Sequence, residues 1–73
     1  MFDQIKNDER VIGKSRDGRF AVTMNGNQDI LEVYVPPAEL VKIEVEQGIK
    51  EAINDARTKI ESLLRNKMMN LSQ

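Results

Sequence analysis

The first half of the chain alternates, and the second half runs in steps of three and four. Phe20, Val22 and Met24 alternate with Ala21 and Thr23, and Leu31, Val33 and Val35 share one face of a later run. Period-two alternation predicts half-buried strands over about residues 10–15, 20–25 and 30–35. Between them stand Arg16-Asp17-Gly18-Arg19 and Asn25-Gly26-Asn27-Gln28. Asp-Gly and Asn-Gly are hairpin signals, because glycine and asparagine tolerate positive φ. Three strands joined by two tight turns form an antiparallel meander with one apolar face. The other face, with Thr23, Glu32 and Tyr34, is expected to be wet. Pro36-Pro37 ends the third strand, since neither residue donates to a ladder. Ala38-Glu39-Leu40-Val41 is expected to form a short helical turn. From about Lys42 to Asn70, Val45, Ile49, Ala52, Ile53, Ala56, Ile60, Leu63, Leu64, Met68 and Leu71 fall on one helical stripe. Gly48 interrupts it, either as a close-packing position or as a weak point of the helix. Phe2 and Ile5 suggest a short helical segment over residues 1–9. The fold class is therefore α+β, in a single domain.

Lengths extend this picture. A helix over 42–70 is roughly 43 Å long, whereas six-residue strands make a sheet roughly 20 Å long. That sheet covers the stripe from Val45 to Ala56 and leaves Ile60, Leu63, Leu64, Met68 and Leu71 facing water. A contiguous apolar strip marks an interface, so these five residues are the expected oligomer contact. The alternative is a break at Gly48 that folds the helix back on itself. A 73-residue chain has little core of its own. Cysteine and histidine are both absent, which excludes disulfides and zinc sites, so self-association, as a homodimer or larger, is the remaining source of stability.

The same absences remove the commonest catalytic base and the best nucleophile. Ser15, Ser62, Ser72, Thr23 and Thr58 stand in no nucleophile motif. Glu44/Glu46 and Glu51/Asp55 read as a solvated helix face. Gly13, Gly18 and Gly26 are too far apart to cradle a phosphate. No enzyme activity, cofactor, metal or small-molecule substrate is expected. The polar N-terminus has no signal-peptide core, no stretch approaches a membrane span, and a cysteine-free chain suits the reducing cytoplasm.

Charge is segregated although the net charge is only −1. Residues 1–35 hold five basic and six acidic side chains, and residues 36–56 hold Lys42 and Lys50 against five acids. Residues 57–73 hold Arg57, Lys59, Arg65 and Lys67 against Glu61 alone. These four cations are candidate phosphate contacts, and Lys14, Arg16 and Arg19 around the first turn form a second basic cluster. The bland explanations are a helix C-terminus complemented by cations and a charged sheet edge. Phe2, Phe20 and Tyr34 are the only aromatics, which argues against reading single strands by stacking.

Two runs carry a resemblance. Val22-Thr23-Met24-Asn25-Gly26-Asn27 followed by Leu31-Glu32-Val33-Tyr34-Val35-Pro36-Pro37 is similar to the strand–Asn-Gly–strand segment of the YbaB/EbfC family of bacterial nucleoid-associated proteins. Ile53-Asn54-Asp55-Ala56-Arg57-Thr58-Lys59-Ile60-Glu61 followed by Arg65-Asn66-Lys67-Met68 resembles its C-terminal helix. The resemblance, over about Val11 to Met68, implies a homodimer shaped like tweezers that binds double-stranded DNA with little sequence preference, in the nucleoid. Lys59 and Lys67 match the family pattern best. Where the family has a long first helix, only Met1 to about Glu9 stands here, so the C-terminal helix is expected to carry the DNA contact. The alternative function is a protein–protein adaptor or assembly module of the same fold without DNA binding.

Overall fold

A computed structural model describes residues 8–71, with the side chains of Asn70 and Leu71 outside the description. Three strands, β1 (Arg10–Lys14), β2 (Ala21–Asn25) and β3 (Ile30–Tyr34), precede one helix, α1 (Lys42–Leu71). The sheet is antiparallel in the order β1-β2-β3. This is the expected α+β meander with its long C-terminal helix. Of the N-terminal helical segment expected over 1–9, residues 1–7 lie outside the described part; Asp8 is helical and Glu9 leads into β1.

The two turns differ in how they meet their conformational demand. In the first, the Gly18 amide bonds the Ser15 carbonyl at 2.9 Å and Gly18 takes φ +77°. Asp17 holds this turn through the Ser15 hydroxyl (2.7 Å), the Arg19 amide (3.0 Å) and the Arg19 Nε (2.8 Å). In the second, the positive φ falls on Gln28 (66°) and not on the Asn-Gly pair. Asn25 sets that geometry. Its Oδ1 accepts from the amides of Asn27 and Asp29, and its carbonyl accepts from the Gln28 amide at 2.9 Å. A tight turn over 25–28 then needs one left-handed residue to re-enter β3. Gln28→Gly is expected to raise stability by up to about 1 kcal/mol, because a Cβ is disfavoured there. Chemical denaturation checks this, and a destabilised variant would refute it.

The helical turn expected over 38–41 does not form. The Ala38 amide closes on the Pro36 carbonyl at 2.9 Å, and α1 begins only at Lys42. Val41 has no capping side chain; the Glu44 carboxylate reaches back to its amide at 3.5 Å.

The core lies between α1 and the first two strands. Phe20, Val22 and Met24 bury against Ala52, Ala56 and Ile60. Two glycines allow the close approach. A Cβ on Gly13 would overlap the Ala52 carbonyl oxygen and the Ala56 amide nitrogen. A Cβ on Gly48 would overlap the Phe20 ring, so Gly48 is a close-packing position within an unbroken helix.

The helix is covered farther along than its length suggested, and the sheet less. Ile60 is fully buried inside the chain and Leu63 and Leu64 are partly buried, which corrects the expectation that they would face water. The reason is direction: β1 runs antiparallel to α1, so Val11 packs beside Leu63, and Glu9 meets Lys67 at 3.0 Å. Met68 remains 53% exposed, and the Leu71 side chain lies outside the description. The uncovered apolar surface lies instead on β3, where every residue is exposed.

Candidate nucleic-acid interface

The seven cations singled out from sequence are placed in two environments. Along β1, α1 side chains bond the outer edge of the sheet. Asp55 Oδ2 accepts the Lys14 amide at 2.9 Å and pairs with Lys59 Nζ at 2.9 Å. Lys59 Nζ also donates to the Ile12 carbonyl at 2.9 Å. Glu51 accepts from the Arg16 amide at 3.0 Å and from Gln47 Nε2 at 3.0 Å. Lys59 is thus committed to the fold, and Lys67 is paired with Glu9. Arg19 is held by Asp17 at 2.8 Å and approaches Glu44 at 3.7 Å.

Hydrogen bonding has electrostatic consequences. The Lys14 amide, with Lys59, holds the Asp55 carboxyl below its ordinary value. Gln47 and the Arg16 amide lower Glu51. The Ser15 hydroxyl and Arg19 lower Asp17, and Asp17 in turn raises Arg19. A carboxylate whose folded pKa is depressed stabilises the fold above its unfolded value, about 4. That contribution is lost as pH falls through the folded value. The thermal midpoint is therefore expected to hold from neutral pH to about 5 and to fall below about 4. Asp55→Asn should make the acid limb shallower in a calorimetric pH series; an unchanged limb would dismiss Asp55 as a contributor.

The remaining cations are open. Arg57 and Arg65 are exposed on the outer face of α1, and Arg57 has only the Asn54 Oδ1 at 3.5 Å. Lys14 is exposed, and the Arg16 side chain is 90% exposed with Glu51 at 3.9 Å. Among the described residues no ion pair engages Lys14, Lys50, Arg57 or Arg65.

Residues 3–73 match the YbaB/EbfC DNA-binding family. The chain belongs to that family. A solved structure described as an uncharacterized protein HP0035 from Helicobacter pylori has a similar fold, with a TM-score of 0.77 and 22% identity over 97% of this chain and 77% of that one. No curated protein matches the chain. Membership in the YbaB/EbfC family directs attention to the open cations, and one of these was missed in the sequence. Lys50, counted with the acidic middle segment, is seven residues before Arg57, and Arg65 is eight beyond it. At 100° per residue the three fall within about 80° of arc, spaced roughly 11–12 Å along the axis. Glu61 shares that arc. The two-turn spacing was the available signal. Conversely, the two lysines that best match the YbaB/EbfC pattern, Lys59 and Lys67, are those used inside the fold.

Proposed function

We propose that this chain is a non-enzymatic, self-associating, nucleoid-associated protein that holds the backbone of double-stranded DNA with little sequence preference. Family membership supports DNA as the partner. The observation that carries the reading is the row Lys50, Arg57 and Arg65, exposed on one face of one continuous helix and left out of the chain's own ion pairs among the described residues. Lys14 and Arg16 at the first hairpin are a second, smaller contact. Point cations on a helix face neutralise phosphates without reading bases. Self-association is supported by the small core, in which six apolar residues are fully buried among those described.

Polarisation titrations with duplexes of unrelated sequence test the reading. Binding at ~50 mM salt, falling by orders of magnitude toward ~200 mM and similar on every duplex, is the expected result. Absence of binding at the lower salt would refute it and favour the adaptor, for which the acidic stretch Glu39 to Asp55 is the natural contact. Sedimentation at low micromolar concentration tests association separately; a folded monomer would refute that part.

A further inference from the structure

Each hairpin turn sets a glycine behind a side chain that can close a ring on it. In Asp17-Gly18 and in Asn25-Gly26, the glycine backbone nitrogen can attack the side-chain Cγ of the residue before it. Glycine has no Cβ to hinder the approach. The fold treats the two turns differently. In the first, the Gly18 amide is bonded to the Ser15 carbonyl at 2.9 Å. The Asp17 carboxyl accepts from the Ser15 hydroxyl, the Arg19 amide and the Arg19 Nε, which hold it ionised. A carboxylate is a poor electrophile, so this turn is closed to the reaction. Asn25 instead carries a neutral carboxamide, an electrophile whatever the pH. It is the only asparagine of the chain followed by glycine; Asn27, Asn54 and Asn66 precede Gln28, Asp55 and Lys67.

Hydrogen bonds restrain Asn25. The residue is 8% exposed and ends β2 opposite Arg10. Its Oδ1 accepts from the amides of Asn27 (2.9 Å) and Asp29 (3.0 Å), and its Nδ2 donates to Asp29 Oδ2 at 3.4 Å. Its own amide donates to the Asp29 carbonyl at 3.1 Å, and its carbonyl accepts from the Gln28 amide at 2.9 Å. Gly26 beside it is buried. Attack requires the Gly26 nitrogen to approach Cγ in line for bonding. That means rotation about the Cα–C and Cα–Cβ bonds of Asn25. The first rotation swings the carbonyl away from Gln28, and the second withdraws Oδ1 from Asn27 and Asp29. Ring closure therefore needs the turn to open. The ladder beside it is already irregular at Thr23/Met24, so the turn end of β2–β3 is where opening begins.

We infer that Asn25-Gly26 is a deamidation site gated by opening of the β2–β3 turn. The chemistry needs only water. The Gly26 amide gives its proton to hydroxide, its nitrogen bonds to Cγ, and Nδ2 leaves as ammonia with a proton taken from water. The product is a succinimide. Water then opens the ring, leaving aspartate or isoaspartate at position 25. Aspartate keeps an oxygen for the two amides but sets a second carboxylate against Asp29, which is repulsive. Isoaspartate carries the main chain through Cβ and Cγ and so lengthens it by one carbon. The bonds from the position-25 amide to Asp29 and from the Gln28 amide back to position 25 then no longer share one geometry. β3 pairs with β2 alone, so damage at their joint loosens that strand first.

Peptide mapping by mass spectrometry tests this on protein incubated folded and in unfolding urea, at neutral and mildly alkaline pH. In urea, Asn25 is expected to deamidate ahead of Asn54 and Asn66, and faster at the higher pH. In the folded protein the same reaction should be at least about tenfold slower, because only the open fraction reacts. Asp29→Ala removes the Nδ2 contact and should raise the folded rate roughly threefold or more, with the rate in urea unchanged. Gln28→Gly, expected to steady the turn, should slow the folded rate and serves if the alanine variant does not fold. The aged fraction, separated by its added negative charge, should melt below the unmodified protein. Equal rates folded and in urea would overturn the gate, as would variants that deamidate at the wild-type rate. Deamidation led by Asn54 or Asn66 in urea would overturn the site. An aged fraction melting with the unmodified protein would overturn the loosening of β3.

Discussion

Alanine at Gly13 is expected to destabilise the protein by about 3 kcal/mol, the upper end of what overpacking a core costs. The added carbon meets the Ala52 carbonyl oxygen and Ala56 amide nitrogen, atoms that belong to helix backbone and have no rotamer to escape into. Relief requires β1 and α1 to separate, and that movement stretches the bonds from Asp55 to the Lys14 amide and from Lys59 to the Ile12 carbonyl. A domain of this size holds only roughly 4–10 kcal/mol in all. The thermal midpoint should fall by roughly 15 °C. Gly48 meets the same constraint through the Phe20 ring, a side chain whose small shift is easier than moving backbone. A Gly13→Ala protein melting with the wild type would mean that strand and helix are not in backbone contact.

The second large effect concerns DNA. Replacing Lys50, Arg57 and Arg65 by alanine together should lower the slope of log K against log salt by roughly 3 per engaged chain, about 0.9 for each phosphate that is no longer neutralised. Affinity at ~50 mM salt should drop at least tenfold. The control is the pair Lys59→Met and Lys67→Met. Lys59 and Lys67 are committed to Asp55, the Ile12 carbonyl and Glu9, so removing their charges should lower the melting temperature and leave the salt slope nearly unchanged. If the control pair flattens the slope and the triple variant does not, the DNA face is the wrong one.

These two outcomes depend on information of different kinds. The strand and helix positions were readable because alternation, glycine turns and the Pro36-Pro37 stop act locally: each depends on residues a few positions apart. The roles of individual cations were only partly readable. Lys59 and Lys67 looked like the leading DNA contacts from their place in a familiar motif. Their partners, at Ile12 and Glu9, are far away in sequence, and nothing in the helix itself announces them. Lys50 was overlooked for the opposite reason, since its acidic neighbours dominate the local count while its two-turn spacing from Arg57 decides its face.

The sequence by itself determined an α+β meander and long helix, a chain without histidine or cysteine chemistry, and a shortage of core. Only the tertiary structure decided where that shortage falls. Helix length alone placed the bare apolar strip at Ile60 and beyond. The antiparallel run of β1 along α1 covers Ile60 and leaves β3 bare instead. One helix lying across a three-stranded sheet covers two strands. Which two depends on the close approach of Gly13 to Ala52 and Ala56, which hydrophobic periodicity does not record.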